Sequence, residues 1–377
     1  MSPSTLQSRR RFLQRNALGI GSVALACLLR DDRLLATPPA VPRETRSFDL
    51  KPKTPSHHPS ARAMISLFMH GGPSHVDLLD PKPELSRRSG EDYPGEITYS
   101  FVDRASKKLF GSPWKFERHG ECGMEVSELL PHFSRIVDDV CLIRSMHTDI
   151  NGHEPSIWSM NTGRAQPGRP ALGSWVTYGL GSENQNLPGF IAMCPGGYPI
   201  QESQNWQSGF LPGVYQGTYI DTRHTDLEKL IEHIRNDYTS LPAQRAQLDL
   251  LQQLNARHQQ KRSEDAQIEA RIQSFELAYR MQMDATDAFD IAKEPEHIRS
   301  MYGEGTQARQ LLVARRLLEK GVRFIQVWHG AGQPWDNHDD IEVNHRRLAK
   351  ESDQAIGALL KDLKQRGMLE DTLVIWG

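Results

Sequence analysis

Basic charge, cysteine and long apolar runs are all scarce in this chain, and each shortage excludes something. The 45 Lys and Arg side chains do not outnumber the 47 Asp and Glu, so the formal net charge is -2. Without a basic excess there is no electrostatic footprint for nucleic acid. Four cysteines occur, and three of them, Cys122, Cys141 and Cys194, lie beyond the first 36 positions. An odd number argues against a disulfide framework in an oxidising compartment, which leaves one Cys122–Cys141 bridge or buried free thiols. The apolar stretch 17–29 is thirteen residues long, too short to span a bilayer, and no span is expected after it. A mean hydropathy of -0.57 indicates a hydrophilic surface, while 38% apolar residues support a core. The 377 residues suffice for one large domain or two small ones.

The amino terminus reads as a targeting segment. Residues 8–14, S-R-R-R-F-L-Q, resemble a twin-arginine export signal, and the following apolar stretch has the size of a signal h-region. Residues 24–27, A-L-A-C, weakly resemble a lipoprotein box. Residues 1–36 are therefore set apart as a signal peptide. Their removal leaves 39 basic against 45 acidic side chains, a charge of -6. The expected location is periplasmic or secreted, with the twin-arginine translocase as a partner during export. Residues 37–60, rich in Pro, Ser and Lys without periodicity, read as a linker, and the domain is expected from 61 onward.

Strands and helices then alternate. Apolar runs predict strands at 64–69, 140–144, 189–194, 322–328 and 372–376, the last as a buried central strand. Helical spacing predicts helices at 126–137, 304–320 and 344–366, the last two capped by Gly321 and Gly367. Another begins at Pro155, where a missing N–H does no harm. Residues 84–130 suggest loops and a hairpin. Residues 225–290, rich in Gln, Glu, Arg and Lys, read as a helical insertion. The pattern implies an α/β fold, a mainly parallel sheet with helices on both faces.

The polar residues gather where these strands end. The 64–69 strand opens onto H-G-G-P-S-H-V-D, bringing His70, His75 and Asp77. The 140–144 strand leads to His147, Asp149 and His153. The 322–328 strand ends at His329, followed by W-D-N-H with Asp336 and His338. Ligands of open α/β sheets bind beyond the carboxyl ends of strands. Imidazole with carboxylate suits zinc or manganese, and carboxylate with little histidine suits calcium. Each histidine alone is more often a hydrogen-bonded structural residue, but three such loops on one sheet edge favour a metal or phosphate-ester site.

Residues 352–376, S-D-Q-A-I-G-A-L-L-K-D-L-K-Q-R-G-M-L-E-D-T-L-V-I-W, resemble a segment of the alkaline phosphatase superfamily, of sulfatases especially. There a D-x-x-I-G-x-L-x-x-x-L helix and a G-x-x-x-x-T turn lead into a ligand-bearing strand. Residues 153–164, H-E-P-S-I-W-S-M-N-T-G-R, resemble the sulfatase signature C-x-P-S-R-x-x-x-x-T-G-R. With the export signal, H-G-G-P-S-H-V-D, A-R-R-L-L-E-K-G-V and W-D-N-H, the chain resembles an exported, sulfatase-like family catalogued as a domain of unknown function, over most of 61–377. The resemblance implies an alkaline phosphatase-like fold and metal-assisted hydrolysis of a sulfate or phosphate ester, including esters carried on polysaccharide. It implies a divalent metal (zinc, manganese or calcium) near His70, Asp77, Asp336 and His338, with His153 in the catalytic place and Arg164 and His329 toward substrate.

The departures matter equally. His153 stands where sulfatases need the cysteine that becomes formylglycine, Ile157 replaces the signature Arg, and His70-Gly71 replaces an Asp pair. Formylglycine chemistry is therefore not expected, and His153 is expected as nucleophile, ligand or structural remnant. A non-catalytic binding protein that keeps the fold is the alternative. The resembled family continues past the strand at 372–376 with further site residues, so the chain is expected to be an incomplete domain with apolar surface beside that strand and little or no turnover.

Overall fold

The structure, a computed structural model, describes residues 49–96, 106–231, 238–261, 276–277, 279–281 and 287–377. The expected signal peptide and the first part of the expected linker lie outside the described residues, as does part of the expected helical insertion. Among the described residues no helix is long and apolar enough to cross a membrane.

Five strands form one parallel sheet. They are β1 (Ala63–Phe68), β4 (Phe190–Met193), β5 (Thr218–Ile220), β6 (Phe324–Trp328) and β7 (Thr372–Trp376), in the order β5-β4-β6-β1-β7. β6 is central, and Ile65 lies level with Ile325 on one side and Val374 on the other. A separate antiparallel hairpin joins β2 (Phe116–His119) to β3 (Met124–Ser127), within the span that suggested one.

Alternation along the strands builds two cores. Ile65 and Leu67, Ile325 and Val327 share one core with the helices that return the chain, α8 (Thr306–Glu319) and α9 (Ile341–Gln365). Phe190, Ala192, Phe324 and Trp328 share the other with Ile157 of α3 (His153–Thr162) and Ala171, which precedes α4 (Leu172–Leu180). Helices thus cover both faces of a parallel sheet, as the alternation of elements predicts. Other helices among the described residues include α1 (His75–Leu78), α2 (Pro83–Arg87), α5 (Leu227–Leu230), α6 (Leu241–Lys261) and α7 (Glu296–Tyr302). The expected caps Gly321 and Gly367 follow α8 and α9 with positive φ, 80° and 68°.

Several expectations are corrected. Residues 140–144 form no strand: Cys141 and Ile143 are exposed, and Val140 and Leu142 only pack against the core edge. Residues 126–137 are not a helix, because after β3 the chain makes two 3-10 turns, Phe133–Arg135 and Val137–Asp139, with Pro131 interrupting any longer run. β7 is an edge strand rather than a central one, with Leu373 and Ile375 47% and 43% exposed. All three described cysteines are free, and only Cys194 is buried. The linker's last part is anchored: Leu50 is buried, its carbonyl accepts the Ser182 N–H at 2.7 Å, and the Lys53 N–H reaches the Leu180 carbonyl at 3.0 Å.

Candidate metal centre

Beyond β1 the chain turns through His70-Gly71-Gly72-Pro73, and beyond β6 through His329 to His338. The two loops are seated on each other. Gly71 has φ +94°, and a Cβ there would lie 2.5 Å from the Asp336 backbone nitrogen. Only glycine permits both the conformation and the approach. The Trp335 N–H faces the His70 carbonyl at 3.4 Å, and the Asp336 N–H bonds the Gln333 carbonyl at 3.1 Å, closing a tight turn.

Asp336 is the centre of what results. Its Oδ2 lies 3.1 Å from His153 Nε2 at the start of α3, and its Oδ1 lies 2.9 Å from His338 Nε2. The Gln333 amide also donates to Oδ2 at 2.9 Å. One donor atom from each of His153, Asp336 and His338 falls within 4.8 Å of the others. Asp336 is 17% exposed, His153 40% and His338 73%, so the cluster opens to solvent on the His338 side.

Two buried histidines lie behind it. His70 is 2% exposed, packs edge-on to Trp328 at 4.9 Å between ring centroids, and makes no well-formed hydrogen bond, the Gly332 backbone being its nearest polar neighbour. Burial pushes its pKa down to about 4; the Gly332 backbone opposes the shift, and His329 and His153 nearby reinforce it. The ring is therefore neutral at neutral pH, with a lone pair free. His329 differs, because the Trp335 indole N–H donates to its Nδ1 at 3.0 Å. In the neutral ring that bond leaves the proton on Nε2, which lies 3.5 Å from Glu351 Oε2. His329 thus presents an N–H rather than a lone pair, and Glu351 is the anion it faces.

A third layer holds the two loops. His345, buried on α9, accepts the Ser74 N–H at Nε2 (3.0 Å), and its Nδ1 meets Asn337 Oδ1 at 2.8 Å. Asp77, 3% exposed, accepts the Ser74 hydroxyl at 2.5 Å and keeps Oδ1 without a partner.

The family model for proteins of unknown function, DUF1501, matches residues 61–377. The chain belongs to that family. No curated protein and no solved structure matches it.

In this DUF1501 chain, then, the residues expected at the site are distributed unevenly. Asp336, His338 and His153 converge. His70 and His329 stand next to them in electrostatic reach. Asp77 lies in the layer that positions Ser74 and His345. Arg164 does not approach, since it follows the C-terminal end of α3 and is exposed. The eleven-residue rise separates it from His153 by roughly 16 Å. His147 and Asp149 are exposed outside the cluster. Trp335, Gln333, Asn337 and His345 were not foreseen. For His345 a signal existed: it falls on the apolar stripe of α9 with Leu348, Ser352 and Ile356, where a polar ring needs partners.

Proposed function

We propose that this DUF1501 chain is an exported divalent-metal protein of alkaline phosphatase-like fold, directed at sulfate or phosphate esters. The observation that carries the reading is the convergence of His153, Asp336 and His338 at the carboxyl edge of a parallel sheet, with the neutral His70 behind them. Two imidazoles and one carboxylate suit zinc or manganese better than calcium, which takes mostly oxygen. When bound, such an ion acts as a Lewis acid toward an ester oxygen. His153, Asp336 and His338 would hold it, and Gln333 fixes the carboxylate.

The nucleophile is a separate matter. Ser156 donates its hydroxyl to the Ile150 carbonyl at 3.2 Å, and the Thr148 hydroxyl accepts the Ile150 N–H at 3.2 Å. The Ser156 hydroxyl is thus engaged, Thr148 faces its own turn, and His153 sits on Asp336. This observation supports a second reading, a metal-bearing binding protein that takes up sulfate or phosphate esters without cleaving them.

Metal analysis of the purified chain, calorimetry with zinc, manganese and calcium, and a panel of aryl sulfates and phosphate mono- and diesters separate the readings. About one equivalent of zinc or manganese with turnover is expected of the hydrolase. Metal with ester binding and no turnover supports the second reading. Absence of metal binding overturns both.

A further inference from the structure

A second cavity opens on the same edge of the sheet, at its other end, and shares no lining residue with the metal centre. Its volume is about 440 Å³, and Leu230, Phe289, Ile291 and Val313 form an apolar wall. Thr222, His224, Thr225, Asp290, Arg309 and Gln310 supply the polar lining, and three of them bear on the argument. Thr222, just beyond β5, is 3% exposed, and its hydroxyl has no partner. Gln310 of α8 is fully buried: its amide N–H group reaches the Met193 and Trp328 carbonyls at 3.4 Å, while its Oε1 has no partner. Arg309 is half-buried and bonds only backbone carbonyls through Nη2, those of Thr222 and Arg223. Among the described residues no carboxylate pairs with it. Asp290, also at the cavity, accepts the Ala292 N–H at 3.2 Å, and Asp221 nearby accepts the Gly196 and Arg223 N–H groups.

A buried hydroxyl and a buried amide oxygen left unsatisfied each destabilise the empty cavity, and a cation facing an apolar space lacks its counter-charge. An occupant that satisfies the hydroxyl and the cation carries one negative charge on oxygen and an apolar body, while the Gln310 Oε1 needs a separate donor. The volume and the mixture of apolar wall with few convergent polar groups are those of a small-molecule site. We propose that this cavity binds a small organic monocarboxylate, its carboxylate between Arg309 and the Thr222 hydroxyl and its chain along Leu230, Phe289 and Val313. The Gln310 Oε1 takes a water or a donor group of the ligand. The site is independent of the metal centre, although the Gln310 bond to the Trp328 carbonyl places it one residue from His329.

The test uses the purified chain with octanoate, octanol and octylamine as probes, followed by calorimetry and by ligand-observed NMR. Octanoate is expected to bind at least about tenfold more tightly than octanol, the margin of a charge-assisted hydrogen bond, and octylamine not at all. Arg309→Met should remove that preference and leave octanol binding as it was. Val313→Trp, which fills the cavity, should abolish both and leave metal binding unchanged. Equal binding of octanoate and octanol, an unaltered preference in Arg309→Met, or no octanoate binding at millimolar concentration would each overturn the proposal. A thermal melt of each variant identifies one that has unfolded; for such a variant, Thr222→Val supplies the same comparison.

Discussion

Two clusters of buried charged and polar side chains lie in this molecule, and they are finished to different degrees. Between α7, α8 and α9, Arg315 is 0% exposed and contacts Glu294, Glu319 and Asp362 at 2.7, 2.6 and 2.9 Å. Arg316 adds a pair to Glu294 and donates to the Ala288 and Asp287 carbonyls. Arg366 closes onto Asp362 and Glu319 at 2.7 Å, and the Tyr302 hydroxyl donates to Asp362 at 3.1 Å. Three cations meet three anions at ion-pair distance and their charges cancel, although Arg315 Nε and Nη2 make no well-aligned hydrogen bond. At the proposed metal centre, the ring nitrogens of His70 and the Oδ1 of Asp77 are buried without a well-formed hydrogen bond. Evenly matched charges hold helices together; unmatched polar groups in a cleft point to a missing occupant.

That difference predicts opposite responses to substitution. Arg315→Met leaves Glu294 and Asp362 short of a counter-charge in the interior, and it should cost about 3–5 kcal/mol of stability while metal affinity holds. Chemical denaturation and calorimetry measure the two quantities. Asp336→Ala should do the reverse, weakening zinc or manganese binding by about 100-fold, about 2.7 kcal/mol, with the apo protein melting within a few degrees of the parent. If Asp336→Ala lost as much stability as Arg315→Met, the open cluster would be structural too.

Gly71→Ala probes the seat between the loops. It forces a side chain into the left-handed region and against the Asp336 backbone, so about 1–3 kcal/mol of stability and most of the metal affinity should be lost together. The smallest effect concerns acid. Burial pushes the Glu294 pKa up, but the hydrogen bonds from Arg315 and Arg316 outweigh it and hold the group below its ordinary value of 4.5. A carboxylate with a depressed folded pKa contributes stability above its unfolded value, and that contribution fades as pH falls through the folded one. Melting temperature should therefore drop on acidification below about pH 4.5, and less steeply in Glu294→Gln.

The sheet was legible wherever an apolar run met a turn signal. β1, β4, β6 and β7 all follow that rule, and α8 and α9 show their stripes. Three-residue β5 carries no period to detect. The run at 140–144 has a strand's alternation without a strand to pair with, so Val140 and Leu142 pack and the backbone does not. At 126–137, Val126, Leu129, Leu130, Phe133 and Val137 happen to fit helical spacing, but Pro131 and the hairpin decide otherwise. At the site, Asp336 and His338 were readable because they crowd one loop. What residue types could not show was partition: His329 as a donor fixed by Trp335, Asp77 in a supporting layer, and Arg164 carried away by the length of α3.

The order of strands has a consequence for how the chain is made. β1 is the first strand of the sheet to be synthesised, yet its two neighbours are β6 and β7, the last two. Ser74 and His345, which join the same two regions, are 271 residues apart. At about 5–20 residues per second, translation separates them by roughly 14–54 s. Through that interval the run Met-Ile-Ser-Leu-Phe at 64–68 has no edge to join, a long time for a nascent apolar strand to stay out of other pairings. A holding chaperone acting on the ribosome-bound chain would have its natural target there, and the cluster proposed to hold a metal cannot form until Asp336 and His338, synthesised long after His153, have emerged.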